Sequence, residues 1–197
     1  MQRVAFGPRT TFEQVVARAV GMRGPVIAVG DPKEPLPRLG AAREFLQDAD
    51  WRRAVDSLIG EAAQLVFILG DTENLAWEFR CAVARQRLGD TVLLVPPVSE
   101  PEVAARWAGL MHRDLGWPGA AALAGALPPG LVAVAFAGGQ PVFLVSRRRR
   151  QADCVVAIGL ASALQAGGER GAGAAIARVV RETALVSAVP ELPSRRA

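Results

Sequence analysis

The chain has no tyrosine, a single histidine and a single lysine, Lys33, so its basic side chains are almost all arginine. With a net charge of +4, that bias reads as the codon usage of a GC-rich genome rather than as a nucleic-acid footprint. Its two cysteines, Cys81 and Cys154, lie far apart and in no CxxC pair, which argues against a zinc site or a disulfide framework and leaves two buried thiols. The longest apolar stretch that resembles a membrane span, Cys154 to Ala166, is about 13 residues against the ~20 needed. No signal peptide is expected, since Met1 to Gly7 is too short for an apolar core. Neither the dinucleotide fingerprint nor the P-loop pattern follows any strand, and the GxSxG elbow is missing. His112 has no marked partner for a catalytic triad. These gaps exclude the commonest nucleotide, hydrolase and metal chemistries and leave a cytoplasmic domain as the expectation.

What is present is a core-forming chain. Of 197 residues, 51% are hydrophobic, enough for one globular domain over 1–197, with a main body at 3–115 and a C-terminal part at 131–187. The organising stretch is Leu65 to Phe79. Leu65–Leu69 is an unbroken apolar run suited to a strand buried on both faces. Gly70, Asp71, Thr72 and Asn74 supply turn and cap chemistry, and helical spacing then begins at Leu75.

Before it, Arg3–Phe6 suits a short strand. Capping boxes pair Thr10 with Glu13 and Thr11 with Gln14, ahead of an amphipathic helix carrying Phe12, Val15, Val16, Ala19 and Val20 and stopped by Gly21. Pro25–Val29 reads as a second buried strand, followed by a proline-stiffened loop, Gly30–Leu39, and a short helix, Gly40–Leu46, presenting Arg43. Asp48 or Asp50 caps a helix striped by Trp51, Val55, Leu58, Ile59 and Ala62.

Beyond the central stretch, a helix from Glu73 to Leu88 stops at Gly89, and Thr91–Val95 forms a strand. Ser99 and Glu102 box a helix bearing Val103, Trp107, Leu110 and Met111. Gly116–Gly130 reads as a surface connection. Leu131–Phe136 and Pro141–Val145, joined through glycines, read as an antiparallel hairpin. A helix over Ala152–Gln165, a glycine-rich linker over Gly167–Gly173, a last helix through Ser187 and a frayed tail from Pro190 complete the chain. Alternating strands and helices predict an α/β fold: three layers, a mainly parallel sheet covered on both faces, plus the hairpin.

The candidate site follows from that topology, because ligands of open α/β sheets collect at the carboxyl ends of the strands. If Pro25–Val29 and Leu65–Leu69 are neighbours, their following loops bring together Gly30, Asp31, Lys33, Glu34, Asp71 and Thr72, with Arg43 nearby and Trp77 and Glu78 on the helix. A glutamate beside a tryptophan face acquires a raised pKa and can serve as acid or base. Packing of Trp77 in the core and first-turn placement of Glu78 against the helix dipole is the plainer alternative. The run Arg147–Arg150 reads as a solvated corner or as a contact for acidic membrane surfaces.

The stretches Phe12-Glu13, Gly24-Pro25-Val26-Ile27-Ala28-Val29-Gly30 and Leu39-Gly40-Ala41-Ala42-Arg43-Glu44-Phe45, with Trp51, Gly70, Thr72, Leu75, Trp77 and Glu78, carry a resemblance. Over about residues 12–78 the chain resembles the cytosolic domain of uncharacterised, actinobacterial-type membrane-associated proteins. More distantly it is similar to Toll/interleukin-1 receptor (TIR) domains. That resemblance implies a TIR-like or flavodoxin-like (Rossmann-like) parallel sheet and a bacterial signalling or interaction module at the inner face of the membrane. Its implied partners are further copies of itself or a membrane-anchored protein, not specific nucleic acid. It also implies NAD as the candidate ligand, with Glu78 in the place of the NAD-cleaving glutamate. Here Trp77 and Glu78 are adjacent, whereas the TIR pattern sets the tryptophan several residues earlier.

Overall fold

A computed structural model describes residues 11–28, 48–123, 127–137, 140–165 and 185–188. The expected strand Arg3–Phe6, the box at Thr10, the loop and helix over Gly30–Leu46, the Gly167–Gly173 linker and the tail from Pro190 lie outside these residues.

Helix α1 (Phe12–Gly21) starts as its capping box dictates: Thr11 Oγ accepts from Gln14 N, and Gln14 Oε1 accepts from Thr11 N. Its buried positions, Val16 and Ala19, fall on the anticipated stripe. Helix α2 (Asp48–Glu61) buries Trp51, Val55 and Ile59. Strand β1 (Leu65–Ile68) leads through the polar turn into α3 (Glu73–Ala84), capped by Thr72, whose hydroxyl accepts from Leu75 N at 3.2 Å. Helix α3 stops four residues short of the expected Leu88, because Gln86 takes a left-handed conformation (φ 57°) ahead of a 3-10 turn at Leu88–Asp90. Then come β2 (Thr91–Leu94), α4 (Glu100–Met111), the short α5 (Ala120–Leu123), the hairpin β3 (Leu131–Ala137) and β4 (Gln140–Ser146), helix α6 over 151–165, and β5 (Leu185–Ala188).

The sheet order is β1-β2-β3-β4-β5. One core, built on α2, α3, α4 and α5, covers one face; α1 and α6 cover the other. The fold is thus α/β with helices on both faces, and the hairpin pairs antiparallel as expected. The mainly parallel sheet is not what is found: only β1 and β2 run parallel, while β2–β3, β3–β4 and β4–β5 are antiparallel.

Helix α4 supplies the reason. At its start Glu100 Oε1 accepts from Gly130 N beside the hairpin; just past its end Arg113 donates to Asp71 O beyond β1. Twelve residues span about 18 Å, close to four strand spacings. The helix therefore runs across the strands near their carboxyl ends, with Trp107 packed on Phe143 of one face, and the chain enters β3 from the end at which it left β2. The connection expected at the surface over Gly116–Gly130 is partly core in its described residues: Ala120 and Leu123 are buried, and Trp107 Nε1 donates to Leu123 O at 2.9 Å.

Three further expectations are corrected. Leu65–Leu69 is not a strand buried on both faces: β1 is the outer strand, with Leu65 and Phe67 buried and Val66 and Ile68 half-buried. The fully enclosed strand is β2, all of whose residues are buried. Pro25–Ala28, the described part of the strand expected over Pro25–Val29, contributes no strand to the five-stranded sheet; Ile27 makes an isolated bridge and is 53% exposed. Finally, Leu185–Ser187, anticipated as the end of the last helix, lies in β5 and pairs with the free edge of β4, whose unpaired backbone groups favour an added strand. Among the described residues, no helix is long and apolar enough to cross a membrane.

Candidate functional site

The anticipated crevice at the carboxyl edge of the sheet is where α4 lies. Arginines engage the backbone carbonyls along it. Arg106 Nη1 donates to Leu69 O at 3.4 Å, Arg113 Nη2 to Asp71 O at 2.6 Å and Arg149 Nη2 to Pro96 O at 3.1 Å. Helix and turn meet so closely that a β-carbon on Gly109 would stand 3.2 Å from Asp71 Cβ. The side chains of Asp71 and Thr72 remain exposed, and Glu73 lies 3.9 Å from Arg113. Gly30, Asp31, Lys33, Glu34 and Arg43 lie outside the described residues, so Asp71 and Thr72 are the part of the loop cluster that is described here.

Trp77 and Glu78 belong to a different place. Thr72 and Glu78 are six positions apart, about 9 Å along a helix, which carries Glu78 from the turn onto the flank of α3 that meets α2. Trp77 packs against Trp51 of α2 with ring centroids 5.5 Å apart, and the Arg52 guanidinium sits 5.4 Å above the Trp77 ring. Asp56 and Arg85 clasp the same seam through two hydrogen bonds, of 2.8 and 2.6 Å. That pairing holds the Asp56 carboxyl below its usual range.

Two polar groups of the seam are left over. Trp51 Nε1 is buried with no hydrogen-bond partner. Glu78 is half-buried and has no hydrogen bond or ion pair with any described residue, and burial raises its pKa from 4.5 to about 7. Half-buried Cys81, three residues on, has its thiol pushed up by burial first and by Asp56 second. A buried polar atom without a partner, as Trp51 Nε1 is, is uncommon enough to call for an explanation. Chemically, a carboxyl that titrates near neutrality can donate or accept a proton and can hydrogen-bond in either state.

A separate cleft of about 620 Å³ lies past the end of α4, lined by His112, Arg113, Asp114 and Trp117 among others; its lining includes neither Trp77 nor Glu78. His112 is exposed at its rim. Among the described residues, no three histidine, cysteine or acidic side chains gather as a metal site.

Sequence reasoning missed Trp51, Arg52, Arg106 and Arg113 as site residues. The stripe of α2 marks Trp51 as core alone, and Arg106 lies on α4 while Arg113 lies just past its end. No signal of their carbonyl partners exists in the sequence. No protein-family model, curated protein or solved structure matches the chain.

Proposed function

We propose that this domain is a non-catalytic interaction module that takes a planar, nucleotide-like ligand at the α2–α3 seam. The observation that supports it is the buried Trp51 Nε1 without a partner, on the seam where Trp51 meets Trp77 and where the half-buried Glu78 carboxyl has no partner among the described residues. A nucleobase or carboxamide edge carries an acceptor and a donor side by side, matching an indole N–H and a carboxyl. Aromatic rings and a guanidinium supply stacking surface for the same ligand. The TIR-like signalling role implied by the resemblance belongs to this reading, with ligand occupancy as the signal.

The competing reading is an NAD-cleaving glycohydrolase using Glu78, and its support is the carboxyl pKa of about 7, a value suited to a general acid–base group. Titrating the protein with NAD and adenine nucleotides while following tryptophan fluorescence, and assaying the same samples for nicotinamide, separates the two. The module reading expects saturable quenching without nicotinamide release at any protein concentration, and weaker binding by Trp77→Ala. Release that falls about a hundredfold in Glu78→Gln makes the protein an enzyme instead. Absence of any quenching removes both.

A further inference from the structure

The run Arg147–Arg150 forms a built corner between β4 and α6, on different elements from the α2–α3 seam. Ser146, at the end of β4, is buried; its hydroxyl donates to Asp153 Oδ2 at 2.7 Å and accepts from Arg148 N at 3.2 Å. Asp153 Oδ2 also accepts from Arg150 N at 2.9 Å, and Asp153 N donates to Arg150 O at 2.9 Å. Beneath the corner, Gly130 (φ 76°) is so close to Ser146 O that a β-carbon would lie 2.5 Å from it, which fixes the position of the turn.

Arg149 is the odd member. Its backbone is left-handed (φ 43°), a conformation that costs a non-glycine residue roughly 1–2 kcal/mol. Its side chain turns inward, only 13% exposed, where it donates to Glu100 Oε1 at 3.1 Å and to Pro96 O. With Arg149 anchored, Arg147, Arg148 and Arg150 stand exposed. None of the three has an ion-pair partner among the described residues. The two nearby acids are engaged elsewhere, Glu100 by Arg149 and Gly130 N, and Asp153 by Ser146 and Arg150 N. The corner therefore holds three exposed guanidinium groups within four residues, about 11 Å of chain at most, against the single carboxylate of Asp153, which is bonded only by neutral donors and leaves the cations in excess.

Like charges held that close repel one another, so the arrangement is most stable with a dense anion between them. Guanidinium forks match phosphate oxygens two at a time. A duplex or single strand spreads its charge along a track and would call for a longer basic stripe or for aromatic platforms, and the corner has neither.

We propose that the β4–α6 corner is a binding site for a phosphate cluster, with Arg147, Arg148 and Arg150 as its charges and Arg149 as the positioning residue that fixes the turn. The cluster can come from a free polyphosphate group or from a multiply phosphorylated lipid headgroup, and two measurements distinguish them. One is calorimetric titration with inorganic tripolyphosphate. The other is co-sedimentation with phosphatidylcholine vesicles, with and without a phosphoinositide bisphosphate. Each is run on the wild type and on the Arg147→Gln/Arg148→Gln/Arg150→Gln variant, whose melting point should match the wild type because exposed charges contribute little. Tripolyphosphate binding that falls about tenfold or more in the variant supports the site and a free ligand. Sedimentation only with bisphosphate vesicles, weakened on the order of a hundredfold in the variant, supports the site and a lipid source. If the triple variant does not fold, the three single variants replace it, each expected to lose about threefold. Binding in neither measurement, or binding that ignores the arginines, overturns the proposal.

Discussion

Replacing Glu78 with glutamine should make the protein more stable, and only at the upper end of the pH range. The carboxyl titrates at about 7 in the fold against 4.5 as a free group, and burial is the cause. Between those values the folded state keeps a proton that the unfolded state has released, so stability falls as pH rises through the window. Below about 4.5 both states are protonated and there is no penalty; above about 7 the penalty is complete. Ionising a group so displaced costs about 3 kcal/mol, and partial exposure of Glu78 to water reduces this to about 2 kcal/mol. Glu78→Gln preserves the shape and removes the charge. Near pH 8 it should raise the melting temperature by about 4–8 °C, and near pH 4 it should leave it unchanged. Paired melts of wild type and variant by circular dichroism across this range test both arms. Equal melting near pH 8 would mean that the carboxyl is solvated after all. Loss of stability there would mean that the carboxylate has a favourable partner, and the account of an unsatisfied seam would fail.

Two other substitutions probe the frame that carries the seam. Arg87 Nη1 donates to Gly60 O at 2.6 Å and to Ile59 O at 3.2 Å, Nη2 donates to Ala62 O, and Nε pairs with Asp90 at 2.8 Å. It thus caps the C-terminal carbonyls of α2, and Arg87→Ala should cost about 2–3 kcal/mol in denaturant melts, with Arg87→Lys recovering only part because one ammonium cannot reach every carbonyl. A cost below about 0.5 kcal/mol would refute the capping role. Trp51→Ala removes a buried ring and the partner of Trp77, and should cost about 3–5 kcal/mol; a loss below about 1 kcal/mol would refute the register of α2.

Local features were legible because their causes are local. The Thr11–Gln14 box, the Ser99 cap of α4, the stripe of Trp51, Val55 and Ile59, and the glycine-linked hairpin each depend on residues a few positions apart, and each is found. The reciprocal half of the second box is absent, since Glu102 pairs instead with Arg106 at 2.5 Å. Periodicity likewise marked Trp77 and Glu78 as helical, and the choice of residue types pointed to a raised carboxyl pKa.

What the sequence alone determined, then, is the helices α1 to α4 and α6, the strands β1 to β4 and the apolar stripes of those helices, because period, caps and turn residues act over a few positions; it did not determine the short α5 or the strand Leu185–Ala188. What only the tertiary structure decided is how those segments meet. Whether a helix after a strand crosses back over the sheet or runs across the strands near their carboxyl ends depends on contacts far apart in the chain: Glu100 with Gly130 and Arg149, Arg113 with Asp71. That choice made the sheet mixed and placed α4 over the expected crevice. Meanwhile the packing of α2 on α3 set Trp77 against Trp51, left the Trp51 indole N–H without a partner and half-buried the Glu78 carboxyl. Burial of a polar group is a property of everything packed around it, and no window of sequence contains that information.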